Sequence, residues 1–153
     1  MERRSYAFGE LPTASKYKRA IRNLLLVPAW FCPVKKWRAM FHRWRGVKMG
    51  KNVEIGYMVI LDNRRPELIT IGDNAFVTAM SVVLTHDLSQ KNIDGTETVG
   101  AIEIGEGAFI GMNCTIMPGV KIGKNSIIGS GAVLTRDTED NSVYAGVPAK
   151  RIK

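Results

Sequence analysis

The chain has 153 residues, 45% of them apolar and 24% charged, which excludes a disordered segment and fits one globular domain with an appended arm. Its formal charge of +8 is uneven: residues 1–50 hold 12 Lys and Arg against 2 Asp and Glu, and residues 51–153 hold 10 against 12. Two cysteines without a shared motif, Cys32 and Cys114, exclude a disulfide framework and suit a reducing, cytoplasmic setting.

Residues 1–45 form a basic, aromatic arm. No apolar core with a small-residue cleavage site opens the chain, so no secretory leader is expected. The longest apolar run, Leu24 to Val34, is 11 residues and carries two prolines, whereas a bilayer-spanning helix needs ~20. Pro28 and Pro33 predict two short helical pieces instead of one helix. The arm has two readings. As a cap, Leu24, Leu25, Leu26, Trp30 and Phe31 would cover the unpaired strand edges that end a repeat fold. As a peripheral membrane contact, Trp30, Trp37, Phe41 and Trp44 among Lys35, Lys36, Arg38, Arg43 and Arg45 would meet anionic headgroups at the cytoplasmic face. His42, among these basic and aromatic residues, reads as a surface residue.

From residue 46 to 153 the sequence repeats every six residues. Aliphatic residues recur as Met49, Ile55, Leu61, then Ile71, Val77, Val83, then Ile104, Ile110, Ile116, Ile122, Ile128, Leu134. Glycine mostly follows each of them, as at Gly50, Gly72, Gly105, Gly111, Gly123 and Gly129. The fourth position of the hexad is Asn52, Asn74, Gly107, Asn113, Gly119, Asn125 and Gly131, the two residue types that tolerate a positive φ at least cost. A hexad is therefore one short strand and one corner, and three hexads close a triangular coil of 18 residues. "MGKNV", "IGDNA", "IGEGA" and "IGKNS" start at 49, 71, 104 and 122, so the gaps hold one coil plus 4, one coil plus 15, and one coil. The extra residues fall near Asn63-Arg64-Arg65-Pro66 and in a loop at about 86–101 that opens at His86. Long loops in compact domains are usually functional.

These hexads, together with "VLTHD" before the loop, "IGEGAFIGMNCTIMPGVKIGKNSIIGSGAVLTRD" and the closing "NSVYAGVPAKRIK", resemble the hexapeptide-repeat acyltransferases, nearest the maltose, galactoside and polysaccharide O-acetyltransferases. The resemblance covers roughly residues 46–153. Phe109, where many relatives carry Trp, and the N-terminal arm depart from it, so acceptor-binding residues are not carried over. The resemblance implies an all-β repeat, a left-handed parallel β-helix of about four to five triangular coils with a short, partly helical N-terminal arm. It implies acetyl-CoA as co-substrate, no metal, a homotrimer with sites between subunits, and a saccharide or other small-molecule acceptor.

Acyl transfer to an alcohol needs a base, and His86 falls where the family keeps one. The imidazole needs an acid on its other nitrogen, for which Glu97 in the loop and the adjacent Asp87 are the candidates. By the same resemblance Met112 and Ser130 flank the acetyl-CoA arm, Thr135 and Arg136 the nucleotide, and Lys150 and Lys153 its phosphates. A zinc enzyme of the γ-carbonic anhydrase type needs three histidines, and the chain has two. A bare repeat scaffold would not need a histidine at the mouth of a long insertion, and no nucleic-acid recognition motif accompanies the positive charge. The acceptor stays open: N-acetylation of an amino sugar and O-acetylation of serine are alternatives.

Overall fold

In the computed structural model, which describes residues 4–12 and 14–153, the hexads form three parallel walls around one aliphatic column. The first wall stacks Lys48–Met49, Ile69–Ile71, Ile102–Ile104 and Lys121–Ile122. The second stacks Glu54–Ile55, Phe76–Val77, Phe109–Ile110, Ile127–Ile128 and Val143–Ala145. The third stacks Ile60–Leu61, Val82–Val83, Thr115–Ile116 and Val133–Leu134. Register follows the hexads: Met49 lies on Ile71, Ile71 on Ile104 and Ile104 on Ile122. Successive strand residues point to opposite faces. Ile55, Leu61, Val77, Ile110 and Ile128 are thus buried, while Ile60, Phe109 and Ile127 stay exposed.

All seven fourth-position residues turn a corner with positive φ, the asparagines at 52–57° and the glycines at 66–85°. Met58 (53°) and Met80 (61°) make the same turn at equivalent positions, where no Asn or Gly marks it. The short insertion is a 3₁₀ turn, Pro66–Leu68. The long one is an antiparallel hairpin, His86–Asp87 with Thr96–Val99, to which Arg4–Ala7 of the arm adds a third strand. At the other end Lys150–Arg151 folds back on Val143–Ala145 through a Gly146-Val147-Pro148 turn with a cis Val147–Pro148 bond.

The arm contains three helices where two pieces are expected: α1 (Lys16–Leu24), α2 (Leu26–Phe31) and α3 (Lys35–Trp44). Pro28 sits in the first turn of α2, where its missing N–H costs nothing, and Pro33 separates α2 from α3. The residues that cover the first coil differ from expectation in part, since Leu25, Leu26 and Trp30 are half-buried. Leu24 and Phe31 are 76% and 57% exposed, and the covering side chains are Ala29, Arg38, Ala39 and His42. Arg38 Nε donates to the Ile55 carbonyl at 2.8 Å, and the Met58 N–H donates to the Trp30 carbonyl at 3.2 Å. His42 is fully buried, a correction to its reading as a surface residue. It stands with Arg38 and Arg45 at i, i+4 and i+7, which gives all three one face of α3 and its end.

Candidate active site

Leu61 pairs with Val83, so Asp62 comes to lie beneath the strand end that leads into Thr85 and His86. Asp62 is 2% exposed, and its carboxylate meets only donors. Its Oδ1 accepts the Arg64 N–H at 2.8 Å. Its Oδ2 accepts the Thr85 N–H at 2.8 Å, the Thr85 hydroxyl at 2.5 Å and His86 Nδ1 at 2.5 Å. Burial alone would raise the Asp62 pKa, but the hydrogen bonds from His86 and Thr85 outweigh it and hold the carboxyl at about 2. An ionised carboxylate only accepts, so His86 Nδ1 carries a proton, and in the neutral imidazole Nε2 keeps its lone pair. The His86 side chain is 16% exposed.

Neither acid singled out from the sequence serves His86. Asp87 follows it on a strand, so the two side chains point apart, and Asp87 Oδ1 accepts from the Ser89 N–H at 2.8 Å. Glu97 is fully buried and ion-paired with Arg64 at 3.0 Å and Arg65 at 3.7 Å, contacts that are Coulombic and not aligned hydrogen bonds. The expected acid is therefore replaced by Asp62, and Glu97 fastens the hairpin to the short insertion. Arg65 Nη1 also donates to the Pro12 carbonyl at 3.1 Å, so the arm, both insertions and the coil meet beside His86.

Behind Asp62 lies a second polar layer. Arg45 is fully buried and its Nη2 donates to the Leu61 carbonyl at 3.0 Å, while its Nη1 lies 2.7 Å from His42 Nδ1. A guanidinium only donates, so His42 accepts there and is neutral. Burial first, and the Arg45 charge second, lower the His42 pKa to about 3. Burial also lowers that of Arg45, to about 10, against the attraction of Asp62, so it stays a cation at neutral pH.

The residues carried over for acetyl-CoA separate into groups. Met112 and Ser130 touch, the Met112 N–H donating to Ser130 Oγ at 3.1 Å, and both line a groove on the second wall with Tyr57, Phe76 and Phe109. Lys150 and Lys153 are exposed at the C-terminal end of that wall. Thr135 and Arg136 are exposed on the corner that follows the third wall, the corner from which His86 leaves the coil.

Residues 101–136 match the family described as bacterial transferase hexapeptide (six repeats). The chain is 27% identical over 140 residues to the acetyltransferase-like protein YvoF of Bacillus subtilis, covering 89% of this chain and 78% of that one. It is 37% identical over 117 residues to the galactoside O-acetyltransferase of Escherichia coli, covering 68% of this chain but 55% of that enzyme, so it spans about half of that relative's length. A hexapeptide-repeat-containing acetyltransferase from Vibrio cholerae superposes with a TM-score of 0.71 at 22% identity, over 92% of this chain and 94% of that chain. A galactoside acetyltransferase in complex with coenzyme A superposes at 0.65 with 26% identity, over 90% and 80%. The coil accordingly has the left hand of these proteins, and the chain is similar over most of its length to hexapeptide-repeat acetyltransferases.

Proposed function

We propose that the protein transfers an acetyl group from acetyl-CoA to a hydroxyl of a saccharide, with His86 as general base and Asp62 as the residue that positions it. The observation that carries this reading is the 2.5 Å contact of His86 Nδ1 with a buried, ionised Asp62, which leaves Nε2 as the free base. His86 Nε2 takes the acceptor's hydroxyl proton as the oxygen bonds to the acyl carbon. As the carbon–sulfur bond breaks, the imidazolium returns that proton to the departing thiolate. Bound acetyl-CoA supplies the activated thioester. The apolar groove at Met112 and Ser130 suits its thin arm, and the exposed Lys150, Arg151 and Lys153 suit its phosphates. The names of the relatives, a galactoside O-acetyltransferase and a structure with coenzyme A, support donor and acceptor class. Residues 46–153 would carry the chemistry, and the arm would contribute Arg45 behind Asp62. The free thiols Cys32 and Cys114 agree with work in the cytoplasm.

The functional unit in this reading is a homotrimer with each site between two subunits. Exposed apolar residues on the walls, Ile60, Phe109, Met112 and Ile127 among them, support it, since a thin prism buries such residues by association. The test of function is acetyl-CoA-dependent thiol release against sugars, amino sugars and serine. Turnover on sugar hydroxyls is expected; turnover confined to amines or serine would reassign the acceptor.

A further inference from the structure

The arm has an inner face and an outer face, and the fold uses only the inner one. Ala29, Arg38, Ala39 and His42 cover the first coil. No residue of α1 is buried, although Tyr17, Ile21 and Leu24 recur at i, i+4 and i+7 and form one apolar stripe, 84%, 58% and 76% exposed. Phe31 at the end of α2 and Trp37 on α3 add aromatic surface, 57% and 53% exposed. Apolar side chains on a polar helix are costly to leave in water without a partner.

The surrounding charge identifies the partner. From Leu11 to Val53 the chain has no Asp or Glu but 11 Lys and Arg. Lys16, Lys18, Arg19 and Lys36 are exposed and form no ion pair among the described residues. A second copy of this face would bring like charge against like charge. A neutral apolar groove would leave the cations without counter-ions. A surface of anionic headgroups over acyl chains satisfies both: the stripe enters the headgroup boundary while lysine and arginine heads stay at the phosphate level.

We infer that the outer face of α1 to α3 is a peripheral docking surface for anionic phospholipid membranes. Its apolar residues Tyr17, Ile21, Leu24, Phe31 and Trp37 do not line the second-wall groove, so it stands or falls apart from the acetyl-transfer reading. No helix among the described residues is long and apolar enough to cross a membrane, so the contact is interfacial.

The test is co-sedimentation of the full-length protein with vesicles of phosphatidylcholine alone and of phosphatidylcholine with phosphatidylglycerol, at low and high salt, beside the variant Tyr17→Ser/Leu24→Ser. Both substituted side chains are exposed, so the variant should melt like the parent and keep thiol-release activity on a soluble acceptor. Binding to the mixed vesicles alone is expected, weakened about tenfold or more by high salt and about as much by the variant. Failure to bind mixed vesicles at low salt, equal binding to the neutral vesicles, or undiminished binding by the variant would overturn the inference. So would a variant that loses its oligomeric mass in sedimentation, which would make the stripe a subunit contact.

Discussion

A carboxylate buried at the end of an aliphatic strand is expensive unless donors surround it, and Asp62 has four hydrogen bonds. Asp62→Asn keeps the shape but supplies an uncharged group that no longer holds the proton on His86 Nδ1. It should lower kcat by about 10²–10⁴-fold with little change in KM, measured by thiol release. Because its carboxyl sits at about 2 when folded and near 3.8 when unfolded, Asp62 contributes about 2 kcal/mol of stability above the unfolded value, lost as pH falls through about 2. His42 acts at milder pH. Its folded pKa of about 3 lies below the ordinary imidazole value of 6.5, so the unfolded chain binds the proton first. Stability should therefore fall by about 1.4 kcal/mol per unit of pH from 6.5 down to 3. His42→Gln should flatten that slope in urea melts across pH, and an unchanged slope would place the titrating group elsewhere. The position of His86 could be read from the hexads, but its partner could not, because Asp62 reaches it only by stacking across an interrupted coil. His42 was legible in principle: the spacing Arg38, His42, Arg45 traces one helical face, and the surrounding positive charge masked it.

Among the elements, the two insertions were legible as numbers, since gaps of 22 and 33 between stacked residues exceed an 18-residue coil. That the longer one is a hairpin was not, because its outer strand pairs with Arg4–Ala7, some ninety residues away in sequence. Nor were the Met58 and Met80 corners, whose positive φ is imposed by the neighbouring coils against the residue's own preference. The hairpin rejoins the coil at Gly100, where a Cβ would stand 2.5 Å from Gly119 N and 2.6 Å from Gly119 Cα. Backbone atoms of a packed coil cannot retreat that far. Gly100→Ala should displace the returning strand, lower stability by about 3 kcal/mol and reduce turnover in proportion to the misplacement of His86. A variant that melts like the parent would show that the hairpin and coil are less tightly joined than these distances require.

For the whole molecule, period, register and corners were legible because each hexad obeys the same steric rule, and the arm was legible only as short helical pieces, because it has no repeat to copy. The exposed aliphatic and aromatic residues of the walls call for association, and sedimentation at micromolar concentration should give the mass of three chains, whereas a monomer would end the trimer proposal. The site draws its parts from distant segments: Arg45 from the arm's end, Asp62 from the short insertion's coil, His86 from the hairpin. If these parts serve one base, they are not independent. Thiol-release kinetics of His86→Ala, Asp62→Asn and the double variant, each with the parent's oligomeric mass, test this most directly. The account predicts that His86→Ala loses about 10²–10⁴-fold in kcat and that adding Asp62→Asn to it costs almost nothing more. Near-parental turnover by His86→Ala, or losses that simply multiply in the double variant, would contradict it.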